Sequence, residues 1–203
     1  MNTSNSALMD MAERSLKGRW GLAIGSFLVY LFITGGMQVA IHYHHYFVYI
    51  IALIISGPMA YGMAVFTLAL SRNEDAQFEQ IFKGFERFGI TLGTYLLMMV
   101  FIVLWSLLLI IPGIIAAISY SMTFFILVDE PHIGSMDAID KSKRMMDGYK
   151  WKYFCLCLRF FLLSLLCILT LGIGFLWLIP YMHVGLANFY NDVKDNQMVV
   201  EAI

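Results

Sequence analysis

Arg159 stands alone among apolar neighbours, in the run Cys155-Leu156-Cys157-Leu158-Arg159-Phe160-Phe161-Leu162. A guanidinium at the centre of a bilayer helix costs about 2.5–3.5 kcal/mol or more, so a charge in such a run marks a candidate site. His183, Asn188 and Tyr120 fall at comparable depth in neighbouring apolar runs. Together the four are candidates to line a cytoplasm-facing cavity that accepts an anionic headgroup or carboxylate. In the competing reading, the Arg159 side chain runs along its own aliphatic stem to the interface, toward Asp192.

Three histidines crowd one short polar stretch, Ile41-His42-Tyr43-His44-His45-Tyr46. Imidazole is the commonest metal ligand and a pH switch, which makes His42, His44 and His45 weak metal candidates. No carboxylate or thiol lies near to complete a site, and aromatic and imidazole rings belong naturally at a membrane interface. Cys155, Cys157 and Cys167 share one apolar run without the two-residue spacer of a redox or zinc motif, and read as packing residues. There is no phosphate-binding loop, His-Glu-x-x-His or nucleophile elbow. The expectation is a protein that is not an enzyme and carries no cofactor.

The elements that must position these residues follow from composition. Of 203 residues, 60% are hydrophobic and only 13% charged, about half the charge of a soluble domain. A net charge of −1 gives no pull toward nucleic acid. Six apolar stretches, at 20–40, 47–70, 90–111, 113–128, 151–171 and 174–190, approach or meet the roughly 17–25 residues a bilayer span needs. The first reads as a retained signal anchor. Residues 90–128 as one helix would be about 58 Å long against a ~30 Å hydrocarbon core, so Pro112-Gly113 is read as a tight turn. With six spans, every basic residue except Arg159 falls on one side, which the positive-inside rule makes cytoplasmic, together with both termini.

Glycines at 18, 84 and 148 each close a polar linker and precede a pair of spans whose second member carries a proline: Pro58, Pro112 and Pro180. The resulting fold class is all-α, a polytopic membrane protein with six transmembrane helices as three hairpins. Each hairpin follows a cytoplasmic amphipathic helix, in a pseudo-threefold repeat over 5–70, 73–128 and 133–190 of one integral domain, 1–203. Phe78, Ile81, Phe82 and Phe85 at i, i+3, i+4 and i+7 predict an α-helical apolar face opposite Glu79, Gln80, Lys83 and Glu86. Ile133, Met136, Ile139, Met146 and Tyr149 repeat the idea opposite Asp137, Lys141 and Arg144. Such helices are interfacial braces or sensors of lipid or a partner. Gly21/Gly25, Gly89/Gly93 and Gly113/Ala117/Ser121 are small-residue faces that permit close helix contact and a homo-oligomer.

The stretch Ile111-Pro112-Gly113-Ile114-Ile115-Ala116-Ala117-Ile118-Ser119-Tyr120-Ser121-Met122 is the first part of a wider resemblance. Ala138-Ile139, Ser142-Lys143, Met146-Asp147-Gly148, Gly172-Ile173-Gly174-Phe175-Leu176-Trp177, Pro180-Tyr181 and Phe189-Tyr190 continue it. Gly57-Pro58 and Phe82-Lys83-Gly84-Phe85 extend it toward the N-terminus. In these positions the chain resembles a bacterial membrane-protein family catalogued as domain of unknown function 975. The resemblance implies a multipass protein of the bacterial plasma membrane and brings no activity, cofactor or substrate. The family pattern does not call for an arginine at 159.

Two functions remain open on the sequence. The first is a non-enzymatic accessory or scaffold module engaging membrane lipid or a membrane-protein partner through its cytoplasmic helices. The alternative is a small-solute or lipid transporter or channel with its site around Arg159.

Overall fold

The computed structural model describes residues 3–41 and 45–201. Within them the chain forms α1 (Asn5–Leu16), α2 (Trp20–Ile41), α3 (His45–Ser71), a 3₁₀ helix (Phe78–Phe85), α4 (Phe88–Leu108), α5 (Ile110–Tyr120), α6 (Thr123–Asp129), α7 (Ser135–Met145), α8 (Lys150–Leu169) and α9 (Phe175–Glu201), with no strand among the described residues. Four stretches are long and apolar enough to cross a bilayer: Val48–Ser71, Phe88–Leu108, Ile110–Asp129 and Lys150–Leu169. Trp20–Gly35 qualifies together with α1, from which it bends by 99°, so the count is four or five. The last helix, α9, is not among them. Its second half carries Asn188, Asn191, Asp192 and Lys194, and these polar side chains dilute its hydropathy.

The turn between the third and fourth expected spans sits three residues before Pro112. Leu109 adopts an extended conformation (φ −160°, ψ 149°) between α4 and α5. Pro112 then occupies the first turn of α5, where its missing N–H costs nothing. Gly113 is needed for a different reason: a Cβ there would meet Cα and Cβ of Ser106 at 3.0 Å, so the glycine lets the two helices close. Starting at Ile110 lengthens the fourth stretch to 20 residues, through a break at Ser121 and Met122. The Ser142 hydroxyl of α7 heals that break, accepting from Met122 N–H at 3.2 Å and donating to the Ser119 carbonyl at 2.8 Å.

The first and third linkers correspond in helix position and closing turn at an offset of 130, with few identical residues. α1 ends in a turn around Gly18 (φ +81°), where Arg19 N–H donates to the Leu16 carbonyl at 2.9 Å. α7 ends in the same turn around Gly148 (φ +78°), where Tyr149 N–H donates to the Met146 carbonyl at 3.1 Å. Their buried faces correspond as well. Leu8, Ala12, Ser15 and Leu16 occupy the positions of Ala138, Ser142, Met145 and Met146. Neither glycine has atoms near its missing Cβ, so only backbone strain opposes a side chain. Gly148→Ala is expected to cost about 1–2 kcal/mol, the left-handed penalty for an L-residue, measured by unfolding in detergent micelles.

The middle linker departs from this pattern and from the expected α-helical face. It is a 3₁₀ helix, with three residues per turn, so Phe78, Ile81 and Gly84 fall in line. Ile81 and Gly84 are buried, while Phe82 and Phe85 rotate outward and are half-exposed. The prolines are likewise not equivalent. Pro112 and Pro180 lie in the first two turns of their helices, whereas Pro58 falls near the middle of α3.

Burial concentrates where α1 and α7 meet the last turns of α3 and α6 and the middle of α9. Leu8, Leu68, Ile126, Leu127, Met146 and Phe189 join one apolar cluster there. The opposite turns are bare: Leu107, Ile110 and Leu171 are 79, 77 and 95% exposed.

Candidate functional site

The most heavily connected polar group lies at the end of α6. Asp129 is only 8% exposed in its side chain and receives a bidentate pair from Arg72, with Nη1 to Oδ1 at 2.7 Å and Nη2 to Oδ2 at 2.8 Å. The Oδ2 atom also accepts from Lys194 Nζ at 2.5 Å and from the Tyr190 hydroxyl at 2.9 Å. Arg72 turns its remaining donors to Asn191 Oδ1, at 3.2 Å from Nε and 3.0 Å from Nη2. Asn191 Nδ2 in turn donates to Ser71 Oγ at 3.1 Å. The ends of α3 and α6 and the middle of α9 thus share one knot. Its hydrogen bond to Asp129 holds the Arg72 guanidinium above its ordinary range despite partial burial.

Other charges at this end of the bundle are spent in the same way. Lys152 Nζ donates to Asp192 Oδ2 at 2.7 Å, and the Thr3 hydroxyl donates to Oδ1 of the same residue. Arg87 donates to the carbonyls of Leu127 and Pro131, Arg19 to that of Glu74 at 2.8 Å, and Lys141 pairs with Glu130. These contacts bridge from 11 to 189 residues of sequence. They fasten the segment after α3, the start of α4 and the N-terminal arm to the same end of the bundle.

Of the residues singled out in the sequence, Tyr120 is buried, with its ring 6.2 Å from Phe101. It lines a small cavity of about 200 Å³ with Lys143 and Lys150. The His183 ring lies 4.9 Å from that of Phe27, inside the α2–α9 contact. Asn188 is 1% exposed and its Nδ2 has no hydrogen-bond partner among the described residues. Arg159 is exposed on α8, between the exposed Leu158 and Phe161, and makes no ion pair among the described residues; Asp192 pairs with Lys152 instead. Tyr120, His183 and Arg159 therefore stand in three different surroundings. His42 and His44 lie outside the described residues, as does the side chain of His45.

An Arg159 without a protein partner has nothing to lose on replacement except its solvation. Arg159→Leu is expected to leave the unfolding midpoint in bicelles unchanged or raise it. A drop worth more than about 1 kcal/mol would reveal a partner for the guanidinium.

The small-residue faces also resolve. A Cβ at Gly21, Gly25 or Gly89 would meet no atom within 4 Å, so these glycines do not seat a neighbouring helix within the chain. Of the expected faces, Gly113 does seat a neighbour, Ser106 of α4; further close approaches occur at Gly57, Gly62 and Gly84, where a Cβ would strike backbone of α4, the 3₁₀ helix and α3 respectively.

Sequence reasoning used Arg72 and Lys194 only to orient the chain and passed over Asp129. A signal was present: Asp129 closes an apolar stretch of 20 residues that holds no other acid, next to linkers rich in lysine and arginine.

An all-helical chain with four to five stretches long and apolar enough to span a bilayer, its polar contacts gathered at one end, has the build of a multipass membrane protein. More narrowly, the chain belongs to the family described as Protein of unknown function (DUF975), whose model matches residues 1–120 and 107–197. No curated protein and no solved structure matches the chain.

Proposed function

We propose that this is a six-span protein of the bacterial cytoplasmic membrane with both termini in the cytoplasm. It acts as a non-enzymatic accessory or scaffold module that engages lipid or a membrane partner through its cytoplasmic segments. In this reading α9 is the sixth span, and its polar second half is accommodated because α1, α3 and α8 surround it. The helices then form three pairs, α2–α3, α4–α5/α6 and α8–α9. Each linker packs mainly on the pair before it: the 3₁₀ helix on α3, α7 on the α4–α6 pair, and α1 on α9. A cyclic pseudo-threefold arrangement about the membrane normal accounts for that order.

The observation that carries the proposal is the Asp129 knot. It ties the cytoplasmic ends of α3 and α6 to the middle of α9, joining the second helix of each pair. A path for solute needs those ends to part, whereas a platform needs them fixed. Arg159 facing outward on α8 favours the platform again, since it lines no path between the pairs.

Two experiments test this. Single cysteines at positions 79 and 140, in a cysteine-free background, are expected to react with an impermeant maleimide only after cells are opened. A cysteine at 172 should react in intact cells. Labelling of position 140 from outside would overturn the topology. A photo-crosslinking residue at the exposed Met11 or Met136 should join the protein to one membrane partner or to lipid. Solute flux through proteoliposomes that is lost in Arg159→Leu would replace the scaffold by a transporter.

A further inference from the structure

The elbows at Gly18 and Gly148 each border a half-open polar pocket, and the two pockets are built from equivalent positions. Asp10, Glu13, Arg14, Lys17 and Trp20 line the first, of about 390 Å³. Asp140, Lys143, Arg144, Asp147 and Lys150 line the second, of about 430 Å³, each exactly one repeat offset of 130 residues further on. Both volumes fall within the roughly 300–1,000 Å³ of small-molecule sites. Each pocket also opens onto an apolar groove through the same two positions. Glu13 and Trp20 are shared with a groove of about 460 Å³ that runs along α8 and α9 past Leu163, Leu166, Trp177 and Leu178. Lys143 and Lys150 are shared with the groove of about 200 Å³ lined by Trp105, Ile115, Ala116 and Tyr120 of α4 and α5.

A polar pocket set directly over an apolar groove, at the level where a helix enters the bilayer, has the form of a phospholipid: a headgroup above and an acyl chain below. The chemistry at the two shared positions then decides which headgroup. At the first elbow they are an acid and an indole. At the second they are two lysines, at the depth where a lipid phosphate would lie. Arg144 adds a third cation, against Asp140 and Asp147, giving this elbow a net positive lining.

These cations are also unspent. Arg19, Arg72, Arg87, Lys141, Lys152 and Lys194 are all engaged by acids or carbonyls. Lys143 and Arg144 have no ion pair among the described residues, and Lys150 has only a long contact of 3.9 Å to the largely exposed Asp147. The N-terminus of α8 opens at the same place and no side chain caps it, so its N–H groups add positive potential.

We infer that the α7–α8 elbow binds one anionic phospholipid, its phosphate held by Lys143, Arg144 and Lys150 and an acyl chain against Trp105, Ile115 and Tyr120. The α1–α2 elbow, with Glu13 and Trp20 at the deciding positions, does not select an anionic lipid. The two elbows thus differ in headgroup preference through the two positions they share with their grooves, Glu13 and Trp20 against Lys143 and Lys150. This deepens the lipid arm of the proposed function and rests on its topology, which places both elbows at the cytoplasmic surface. Cysteine labelling tests that topology separately.

The test uses the full chain in nanodiscs of phosphatidylcholine with a tenth of phosphatidylglycerol. Lipid retained after gentle detergent release is read by native mass spectrometry. The wild type is expected to keep one phosphatidylglycerol per chain. Lys143→Gln with Lys150→Gln should lower that retention about tenfold without changing the unfolding midpoint. Arg14→Gln with Lys17→Gln, in the other elbow, should leave it within twofold. Equal losses in both double variants would mean diffuse surface attraction and would overturn the site. No loss in the Lys143/Lys150 variant would overturn it outright. Displacement of the lipid by millimolar glycerol phosphate would show a soluble phosphate ester as the ligand and overturn the lipid assignment. Should the glutamine pair unfold the protein, Lys143→Arg with Lys150→Arg keeps the charge and is expected to retain the lipid; its loss there would refute the proposal.

Discussion

Asp129→Ala is expected to lower the unfolding free energy of the protein in bicelles by about 2–4 kcal/mol, more than any other single charge removal in the chain. The size follows from what is left behind. Breaking a buried pair by deleting one partner typically costs about 3–5 kcal/mol, because the remaining charge stays desolvated. Arg72 and Lys194 retain 29 and 34% side-chain exposure, so water softens the loss for both cations. The hydroxyl of Tyr190 loses its acceptor at the same time. Asp129→Asn keeps the shape and one acceptor but not the charge, and should fall between. The Glu130–Lys141 pair, about 40% exposed on both sides, is the internal reference. Lys141→Ala should cost no more than about 0.5 kcal/mol. If Asp129→Ala and Lys141→Ala melt together, the knot does not hold the helix ends and the platform loses its fastening.

That knot also marks where sequence reasoning stopped. Apolar runs, the interruption near residue 110 and the recurrent glycines are local features, and a helix is set by its own side chains over a few turns. They yielded the helical class and most helix positions. The turn at Leu109 was displaced to Pro112-Gly113 because both are turn formers by propensity, yet a proline is equally at home in the first turn of the following helix. Asp129 pairs with residues 57 and 65 positions away, and no period in a sequence encodes that. Arg159 looked chemical because it is a charge in an apolar run. On the exposed side of α8, however, it has no protein partner among the described residues, and position along a span says nothing about which way a side chain faces.

The offset of 130 was only half legible. Matching glycines at 18 and 148 announced it, but the intermediate glycine at 84 suggested that all three linkers were alike. In the structure, Gly84 is spent on a backbone contact instead of a left-handed turn, and the middle linker closes down onto α3. The two linkers that keep the turn also keep a pocket in the elbow. The residue type was conserved by the pattern while its physical task changed.

Replacing Gly62 should expose that task most severely. Its Cα faces the Ile81 carbonyl so closely that a Cβ would overlap it and sit 3.0 Å from the Ile81 Cα; from the other side, a Cβ on Gly84 would overlap the Pro58 carbonyl. Pro58 and Gly62 are four apart on one helical face, so the two glycines form a single seam between α3 and the 3₁₀ helix. Overpacking usually costs about 1–3 kcal/mol because side chains shift out of the way. Here the obstacles are main chain, and Ile81 is fully buried, so there is no flexible end to move. Gly62→Ala is therefore expected to cost about 3 kcal/mol or more, and Gly62→Val to prevent accumulation in the membrane. Gly25→Ala, with no atom within 4 Å, should be neutral or gain up to about 1 kcal/mol from helix propensity. Amide exchange separates local from global damage: in Gly62→Ala, residues 78–85 should lose protection first. An alanine variant that melts and exchanges like the parent would mean that the 3₁₀ helix does not rest on α3, and the middle linker would then be free to form an elbow like the other two.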